Sequence, residues 1–413
     1  MSRKRTRFVA VGACAIDNIL DVPYFPEEDS KLRATSMRKR RGGNCPNSLE
    51  VLQQLISRDL GHEEPNGDRT GKATSSADSA ELELLLIATL PSRKSEQLAF
   101  IKSSFDRSLS MDSGASSKPQ NRPMLPKIDL SHCVYREDHT EPVSSYIISS
   151  QSNSSRTIIN HNALPEMTFG EFVSLTHDLL QSQSGSTPGA VEQVWFHFEG
   201  RIPQITLQCI RYLRNHRSIN AGFAVDPRKL RLSVSVEVEK PGREGLQELA
   251  QEADVVFYSR SWAGAEGYDS AETCLNDQSR LILCNPSTTK HGERMLICPW
   301  GAKGACATIL PEASGSHDPT KEASTLESTE CSVVHSPAYI SETKRIIDTT
   351  GAGDTFIAAM LFGLMTRKQT EETPAQHDRA LWSLKQRLDF ANALAGRKIL
   401  QDGFQGLRDL NED

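Results

Sequence analysis

Short apolar segments typical of buried β-strands alternate with segments of helical spacing along most of this 413-residue chain. The predicted strands are residues 8–20, 83–90, 194–198, 232–238, 254–259 and 295–300. The predicted helices are residues 47–57, 96–107, 204–214, 353–366 and 376–399. This alternation predicts an α/β fold with a doubly wound, mostly parallel sheet between two layers of helices. Ligands of such sheets bind beyond the carboxyl ends of the strands, often at helix starts.

Three polar, Gly/Ser-rich segments interrupt the pattern, at about residues 59–80, 108–123 and 311–330. They have too few apolar residues to bury, so we predict flexible insertions in one domain that covers residues 1–413. Residues 21–41 are alternating and charged, with two prolines, and they predict a short sheet outside the main core.

Composition excludes several classes of protein. A net charge of −6 and a pI of about 6.0 give no general affinity for nucleic acid. The basic cluster 38–41 (RKRR) has two interpretations, a solvated strand face or a nuclear import signal. Nine scattered cysteines without a C-x-x-C pair, and no visible signal peptide, predict reduced thiols in a cytoplasmic protein. The longest apolar stretch, 356–365, is too short for a membrane span, which needs about 20 residues.

The most informative motif is IIDTTGAGDTFIAAML at residues 346–361. Gly351, Ala352 and Gly353 form a small-residue turn at a predicted helix start, where unpaired N–H groups and the helix dipole attract anions. Asp354 would repel such an anion unless it accepts a proton from a hydroxyl that attacks phosphorus. The alternative is a glycine-rich turn that only begins a buried helix.

A second constellation comprises Gly42, Gly43, Asn44 and Asn47, with Asp17 upstream. Two glycines allow backbone to approach a ligand closely, and two amides at a helix start offer donors and acceptors together. A polyol needs such mixed groups, and an ionised aspartate suits two adjacent hydroxyls. The alternative is a turn with an ordinary helix cap.

The glycine motif resembles the C-terminal signature of the ribokinase-like (PfkB) carbohydrate kinases. Residues 8–58 resemble the opening of that family, and of ketohexokinases in particular. Four more segments are similar to ketohexokinase segments in the same order: RTIINHNALPE (156–166), WFHFEGR (195–201), LSVSVEVEKP (232–241) and DVVFYSR (254–260). The resemblance spans most of the chain.

The resemblance implies transfer of the γ-phosphate of MgATP to a ketose such as fructose, at its 1-hydroxyl, with help from K⁺. It also implies that residues 18–42 and 134–160 form a small β-sheet lid over the sugar, and that two lids can clasp in a homodimer. Small-molecule sugar and ATP are then the partners, with no nucleic acid and no membrane. Two alternatives stay open: a related kinase for another sugar or a nucleoside, and a non-catalytic ligand-binding regulator of the same fold.

The resemblance also implies roles for individual residues. The implied sugar-binding residues are Asp17, Gly43, Asn44, Asn47 and, from a partner subunit, Asp29. The implied nucleotide-binding residues are Arg156, Gly301, Ala302, Lys303, Gly304 and Asn392. Asp348 would hold the monovalent cation, and Glu199, with Arg201, would contribute to a phosphate or metal shell. Residue types alone leave a simple hairpin at 300–304 and a surface arginine at 156 as alternatives.

Overall fold

The computed structural model describes residues 5–61, 81–110, 126–153, 155–181, 192–218, 230–284, 293–311, 331–339, 345–366 and 382–407. Most of each predicted insertion lies outside these ranges, and the predicted flexibility of 59–80, 108–123 and 311–330 therefore stays a prediction. At their margins, residues 59–61 and 108–110 continue helices. Across the described residues, no helix combines the length and the apolar character that crossing a membrane requires.

Fifteen strands occur in the described part of the chain. They are β1 (Arg5–Val11), β2 (Ala15–Val22), β3 (Ser36–Gly42), β4 (Glu81–Ile87), β5 (Thr89–Pro91), β6 (Ile128–Asp129), β7 (Val134–Arg136), β8 (Val143–Ser150), β9 (Arg156–His161), β10 (Glu192–Phe198), β11 (Leu230–Val238), β12 (Val255–Tyr258), β13 (Arg294–Pro299), β14 (Ala305–Leu310) and β15 (Val334–Ser336).

The α-helices of the same ranges alternate with these strands. They are α1 (Asn44–Gly61), α2 (Glu96–Ser110), α3 (Phe169–Gln181), α4 (Pro203–Ser218), α5 (Leu246–Glu252), α6 (Arg260–Ala265), α7 (Ala271–Leu283), α8 (Ala352–Met365) and α9 (Leu384–Lys398).

The main sheet has nine strands in the order β15-β14-β13-β12-β11-β10-β1-β4-β6. All neighbouring pairs from β13 to β6 are parallel, while β14 and β15 add as an antiparallel edge. Strand order reverses at β1, which pairs with β4 on one side and β10 on the other. Such a reversal opens a crevice beyond the carboxyl ends of the two strands, where ligands bind.

Helices cover both faces of this sheet, as its alternating side chains require. Phe8 and Ala10 of β1 belong to the core that contains residues of α1, α2, α8 and α9. Val9 and Val11 belong to the opposite core, built from residues of α3, α4, α5 and α7. A strand with apolar residues on both sides can lie only inside such a three-layer arrangement. The prediction of a doubly wound, mostly parallel α/β fold is confirmed.

A separate four-stranded sheet has the order β3-β2-β8-β9. It is built from the two segments that were predicted as a lid, although its strands begin at Ala15 and Val143. Residues 134–136, also assigned to the lid, pair instead with β5 in a two-stranded sheet. We refer to the four-stranded sheet as the lid sheet.

Three predicted elements differ substantially from the observed ones. The predicted strand 8–20 is two strands, because the chain leaves the main sheet at residues 12–14 and enters the lid sheet at Ala15. A Cβ at Gly12 would lie 2.6 Å from a carboxylate oxygen of Glu199, so only glycine allows this close exit. The predicted strand 83–90 is likewise divided into β4 and β5. The last helix begins at Leu384, not at 376, behind a capping box between Ser383 and Gln386.

Candidate active site

The glycine turn leads directly into α8. Gly351 has the left-handed φ of 81° and precedes the first helical residue, Ala352. A Cβ there would lie 2.3 Å from the ring of Phe404, so both backbone and packing require glycine. Gly353 is exposed, and a Cβ added to it would have no neighbour within 4 Å. The space in front of the helix start is therefore open, as an anion site requires.

Asp354 lies in the first turn of α8 and is half-buried. Its Oδ2 accepts a hydrogen bond from Asn47 Nδ2 at 2.7 Å. Burial raises the pKa of Asp354 well above the usual value, and the nearby Glu237 raises it further, while the Asn47 hydrogen bond acts in the opposite direction. A carboxylate with a raised pKa accepts a proton more readily than an ordinary aspartate, which suits a general base.

The orientation of Asn47 is fixed from behind. Arg41 donates from Nη1 to Asn47 Oδ1 at 2.9 Å, and its Nη2 pairs with Glu50. Because an arginine only donates, the amide oxygen of Asn47 faces Arg41 and the amide nitrogen faces Asp354. Sequence reasoning assigned Asn47 to the sugar alone, whereas the structure places it against Asp354.

Asp17 is buried in the lid sheet beside the Gly-Gly pair. A Cβ at Gly42 would lie 2.4 Å from Asp17 Oδ1, so the absence of a side chain makes room for this carboxylate. Gly43 has φ 104°, and a Cβ there would lie 2.2 Å from the carbonyl oxygen of Ala13. The two glycines thus bring the lid sheet, the 12–14 segment and the start of α1 together.

Asn44, the first residue of α1, contacts two glutamates. Its Nδ2 donates to Glu237 Oε2 at 2.9 Å and to Glu239 Oε2 at 3.1 Å. Sequence reasoning missed both glutamates as site residues, although two glutamates at alternate positions ending an apolar strand were a usable signal. Because β11 is parallel to β10, these glutamates lie at the carboxyl ends of the strands, as Glu199 does.

Glu199 follows β10 and accepts a hydrogen bond from the backbone N–H of Ala13 at 2.7 Å. Burial, followed by the charge of Glu237, raises the pKa of Glu199 to about 7. Burial, followed by the charge of Glu239, raises the pKa of Glu237 to about 8. Lys240 pairs with Glu239 at 2.6 Å, and His197 Nε2 lies 3.2 Å from Glu237 Oε1. Burial lowers the pKa of His197 to about 3, so this ring adds no positive charge to the cluster near neutral pH.

The carboxylate cluster fits Mg²⁺. Carboxylate oxygens are ligands that Mg²⁺ takes, directly or through water, beside substrate phosphates. Raised pKa values at Glu199 and Glu237 indicate that a positive charge placed here would stabilise the ionised forms. Sequence reasoning included Glu199 and did not include Glu237 or Glu239.

The predicted nucleotide-binding turn 301–304 and Asn392 lie near the antiparallel edge of the main sheet, at β13, β14 and β15. Gly301, Ala302 and Lys303 form a one-turn 3₁₀ segment between β13 and β14, and β13 and β14 pair as a hairpin. A Cβ at Gly304 would lie 2.1 Å from the carbonyl oxygen of Ser336. Asn392 of α9 donates to that same oxygen at 3.0 Å. The structure therefore brings the turn and Asn392 together at Ser336.

Arg156 reaches the glycine turn from the lid sheet. It begins β9, and its Nη1 hydrogen-bonds the hydroxyl of Thr350, the residue before Gly351. Arg201 pairs with Glu166 at 2.9 Å, and while burial and Glu237 raise the pKa of Glu199, the charge of Arg201 acts to lower it. Asp29 lies exposed on the loop between β2 and β3, and it is the one described non-glycine residue with a positive φ, 59°.

Asp348 has two cationic partners within the chain. Arg40 Nη1 donates to its Oδ2 at 2.9 Å, and Lys398 Nζ donates to the same oxygen at 3.0 Å. Burial raises the pKa of Asp348, but the hydrogen bond from Arg40 and the charge of Lys398 outweigh burial and hold that pKa well below its usual value. The residues around Asp348 do not fit the K⁺ that the family resemblance implies, because protein cations already neutralise this carboxylate.

Comparison with known proteins agrees with the geometry. No family model matches the chain. The chain is 26% identical to ketohexokinase of Mus musculus over 402 residues, which are 97% of this chain and 98% of the mouse protein. This likeness agrees with the family predicted from the sequence. The fold of the chain matches the structure of ribokinase from Giardia lamblia with a TM-score of 0.60 at 13% identity, covering 97% and 96% of the two chains.

A second solved structure shares the fold, the nucleoside kinase of Methanocaldococcus jannaschii. Its TM-score is 0.51 at 16% identity, with 97% of this chain and 93% of that chain covered. The predicted fold is confirmed, and the likeness to a ketohexokinase bears out the predicted family and enzyme class.

Proposed function

We propose that this kinase transfers the γ-phosphoryl group of MgATP to a hydroxyl of a ketose, with fructose and its 1-hydroxyl as the first candidates. The observation that carries the proposal is the pairing of a tethered carboxylate with an open helix start. Asp354 is held by Asn47 in the first turn of α8, directly beside the exposed Gly353. A base beside an anion site serves an attacking hydroxyl and the phosphoryl group that it attacks.

Proton transfer is the role of Asp354 in this proposal. The sugar hydroxyl gives its proton to the carboxylate as its oxygen attacks phosphorus and the bond to the leaving ADP oxygen breaks. The raised pKa of Asp354 makes it a stronger proton acceptor, and Asn47 fixes the carboxylate in place. N–H groups of Ala352, Gly353 and Asp354 would stabilise charge on the transferring group, although the Ala352 N–H also lies 3.3 Å from the carbonyl oxygen of Thr349.

Groups on both sides of Asp354 would position the two substrates. Asp17, Gly43 and Asn44 would contact the sugar, since they line the junction of the lid sheet and α1. Arg156 would contact the nucleotide phosphates, because it already reaches Thr350 beside the glycine turn. The Gly301–Gly304 turn and Asn392 would hold the adenosine, with Lys303 exposed at its edge.

Mg²⁺, when bound, neutralises charge on the nucleotide phosphates. Glu199 and Glu237 are the residues that would hold it, directly or through water, and Glu239 stands next to them. Ionisation of these carboxylates near neutral pH would therefore favour the metal complex.

The ketose assignment is supported by the likeness to a ketohexokinase along nearly the whole chain. Its test is a coupled ADP-release assay at pH 7.5 with Mg²⁺, using fructose, other ketoses, ribose and adenosine. We expect turnover with ketoses and little with the others. Turnover with adenosine or ribose alone would replace the substrate class, and ATP binding without any turnover would favour a regulatory protein.

We further propose that the kinase forms a homodimer through the lid sheet. Cross-strand register places Asn18, Lys39, Tyr146 and Ile159 on the face opposite to Asp17, together with Met37. Met37, Tyr146 and Ile159 are exposed, an unusual density of apolar surface for a polar sheet. Asp29, on the loop of the same sheet, could then reach the partner's sugar site.

Light scattering after gel filtration tests the dimer. We expect twice the chain mass for the wild type and a monomer for a Tyr146→Asp, Ile159→Asp double variant. A monomeric wild type at micromolar concentration would refute the dimer without touching the catalytic proposal.

The cysteines support a cytoplasmic location, which we propose for the enzyme. All nine are free thiols, and most are buried. Unpaired thiols persist in reducing compartments. Fractionation of cells that express a tagged chain tests this, and recovery from an oxidising compartment would contradict it.

A further inference from the structure

The buried ammonium of Lys398 has an environment usually associated with a bound monovalent cation. The side chain has 0% exposure. Its Nζ donates to Asp348 Oδ2 at 3.0 Å, to the Asp348 carbonyl oxygen at 3.2 Å and to the Gln401 carbonyl oxygen at 3.4 Å. A carboxylate and two backbone carbonyls around one positive charge are the ligand types that hard cations take in proteins.

A chain of contacts connects this ammonium to the anion-binding turn. Asp348 Oδ1 accepts the backbone N–H of Thr350 at 2.8 Å, and Thr350 immediately precedes Gly351. Phe404 packs between the two sites, since Lys398 Nζ lies 5.4 Å from its ring centroid and the ring closes off the Cβ position of Gly351. Loss of the ammonium would therefore loosen the turn that precedes α8.

A second cation faces the same carboxylate from the lid sheet. Arg40 donates to Asp348 and also lies 3.4 Å from Asp17 Oδ2. An added K⁺ at Asp348 would place three like charges around one carboxylate, with the nearest oxygens already engaged. The site therefore favours an internal cation over a bound one.

We propose that Lys398 is a built-in replacement for the monovalent cation that kinases of this resemblance use, and that it positions the Gly351–Gly353 turn without K⁺. Lys398 acts here as a positioning residue, because its Nζ contacts Asp348 and Gln401 within the chain. The proposal rests on the proposed kinase function for its kinetic readout, whereas its binding readout is independent of activity.

The test compares KCl with choline chloride at equal ionic strength, in the wild type and in Lys398→Met. The wild-type turnover number should be the same in the two salts within about twofold, because the site is already filled. Lys398→Met in choline should lose about tenfold or more in kcat and regain part of it in about 100 mM KCl, since K⁺ can then enter. Lys94→Met, an exposed lysine before α2, is the matched control and should behave as the wild type.

Thermal unfolding supplies the second readout. KCl should leave the melting temperature of the wild type unchanged relative to choline and should raise that of Lys398→Met. If Lys398→Met does not fold, Lys398→Gln, which keeps a polar group, takes its place in both experiments. The comparison of the two salts in the wild type does not depend on either variant.

Either of two results would overturn the inference. One is a wild type that K⁺ activates severalfold or stabilises against heat. The other is a folded Lys398→Met variant that keeps full activity in choline. A wild type that turns over no substrate, yet shows the salt-independent melting temperature and a K⁺-stabilised variant, would contradict the kinase proposal and leave the cation inference intact.

Discussion

Asn47 holds Asp354 by a 2.7 Å hydrogen bond between residues separated by 307 positions in the chain. The contact ties the start of α1 to the start of α8, and Ser48 adds a bond from its hydroxyl to the Asp354 carbonyl oxygen at 3.2 Å. The segment carrying the proposed sugar ligands is therefore attached directly to the proposed base. If Asn44 and Asn47 contact the sugar as proposed, sugar binding also acts on the position of the proposed base.

The first prediction concerns the base itself. Asp354→Asn should leave folding and ATP binding nearly intact and lower kcat by several orders of magnitude, because the amide cannot accept the proton. Steady-state kinetics with a ketose, together with nucleotide titration, measures both. Asp106→Asn on the exposed side of α2 is the control. A variant within about tenfold of the wild type would remove Asp354 as the base.

The second prediction concerns the pH profile. Because burial and nearby carboxylates raise the pKa of Asp354, kcat/KM should rise with pH through a value above the range of an ordinary aspartate. Asn47→Ala removes the hydrogen bond that lowers this pKa, so the acid limb should move to higher pH. Asn18→Ala on the outer lid face should not move it. If the acid limb of Asn47→Ala stays at the wild-type pH or moves to lower pH, the assignment of Asp354 as the titrating base is contradicted.

The third prediction separates two glycines of one turn. Gly351→Ala combines a left-handed φ with a clash against Phe404 and should cost about 2 kcal/mol or more, lowering Tm by about 2 °C or more. Gly353→Ala meets no protein atom, so its Tm should change little while turnover falls, since a methyl group would enter the anion site. Calorimetry and kinetics on the two variants measure this contrast. Equal losses of stability would show that the space before Gly353 is not free.

The fourth prediction follows from the raised pKa values of Glu199 and Glu237, about 7 and about 8. Between the usual glutamate value and these values, the folded protein binds more protons than the unfolded chain. The stability that this protonation contributes is present at low pH and is lost as pH rises through 7 and 8. Without Mg²⁺ and ATP, Tm should therefore fall over this window.

The Tm of Glu237→Gln should fall less steeply with rising pH than the Tm of the wild type, because the amide does not ionise. Glu244→Gln, an exposed glutamate before α5, should keep the wild-type slope. Melting curves from pH 5 to pH 8.5 make the comparison. Identical slopes for wild type and Glu237→Gln would show that this carboxylate is already ionised in the folded protein.

A fifth prediction concerns Arg40, which links Asp17 to Asp348. Arg40→Gln should raise the KM for sugar more than that for ATP, because Asp17 loses a partner on the sugar side. Arg211→Gln, in a surface pair with Glu252, is a charge-matched control. Equal changes in both Michaelis constants would argue against a sugar-side role.

Much of the fold could be predicted because the buried strands are apolar and the intervening segments have helical periodicity. Gly351, Gly43 and their neighbours stood out for the same local reason, since small residues beside polar ones are visible in a short window of sequence. The break between β1 and β2 could not be found this way. Residues 8–20 are nearly all apolar, and the exit at Gly12 depends on Glu199, which is distant in the chain.

The charged and polar pairs that shape the site also could not be predicted from short windows of sequence. The pairs Lys398–Asp348 and Arg41–Asn47 have no spacing signal, because they form only when α9 and β3 meet other elements. From the sequence, we predicted that Asn47 binds the sugar and that Asp348 binds a monovalent cation from solution. The structure gives Asn47 a tether to the base and gives Asp348 two cations from the chain itself.

The most direct test of the account is to identify the product made from fructose and MgATP, without K⁺, by the wild type and by Asp354→Asn. NMR of the purified sugar product locates the phosphate. The account predicts fructose phosphorylated at the 1-hydroxyl by the wild type and no phosphorylated sugar from the variant. Phosphate on another hydroxyl would contradict the proposed site of transfer. ADP release without any phosphorylated sugar, or equal product from the variant, would contradict the proposed role of Asp354.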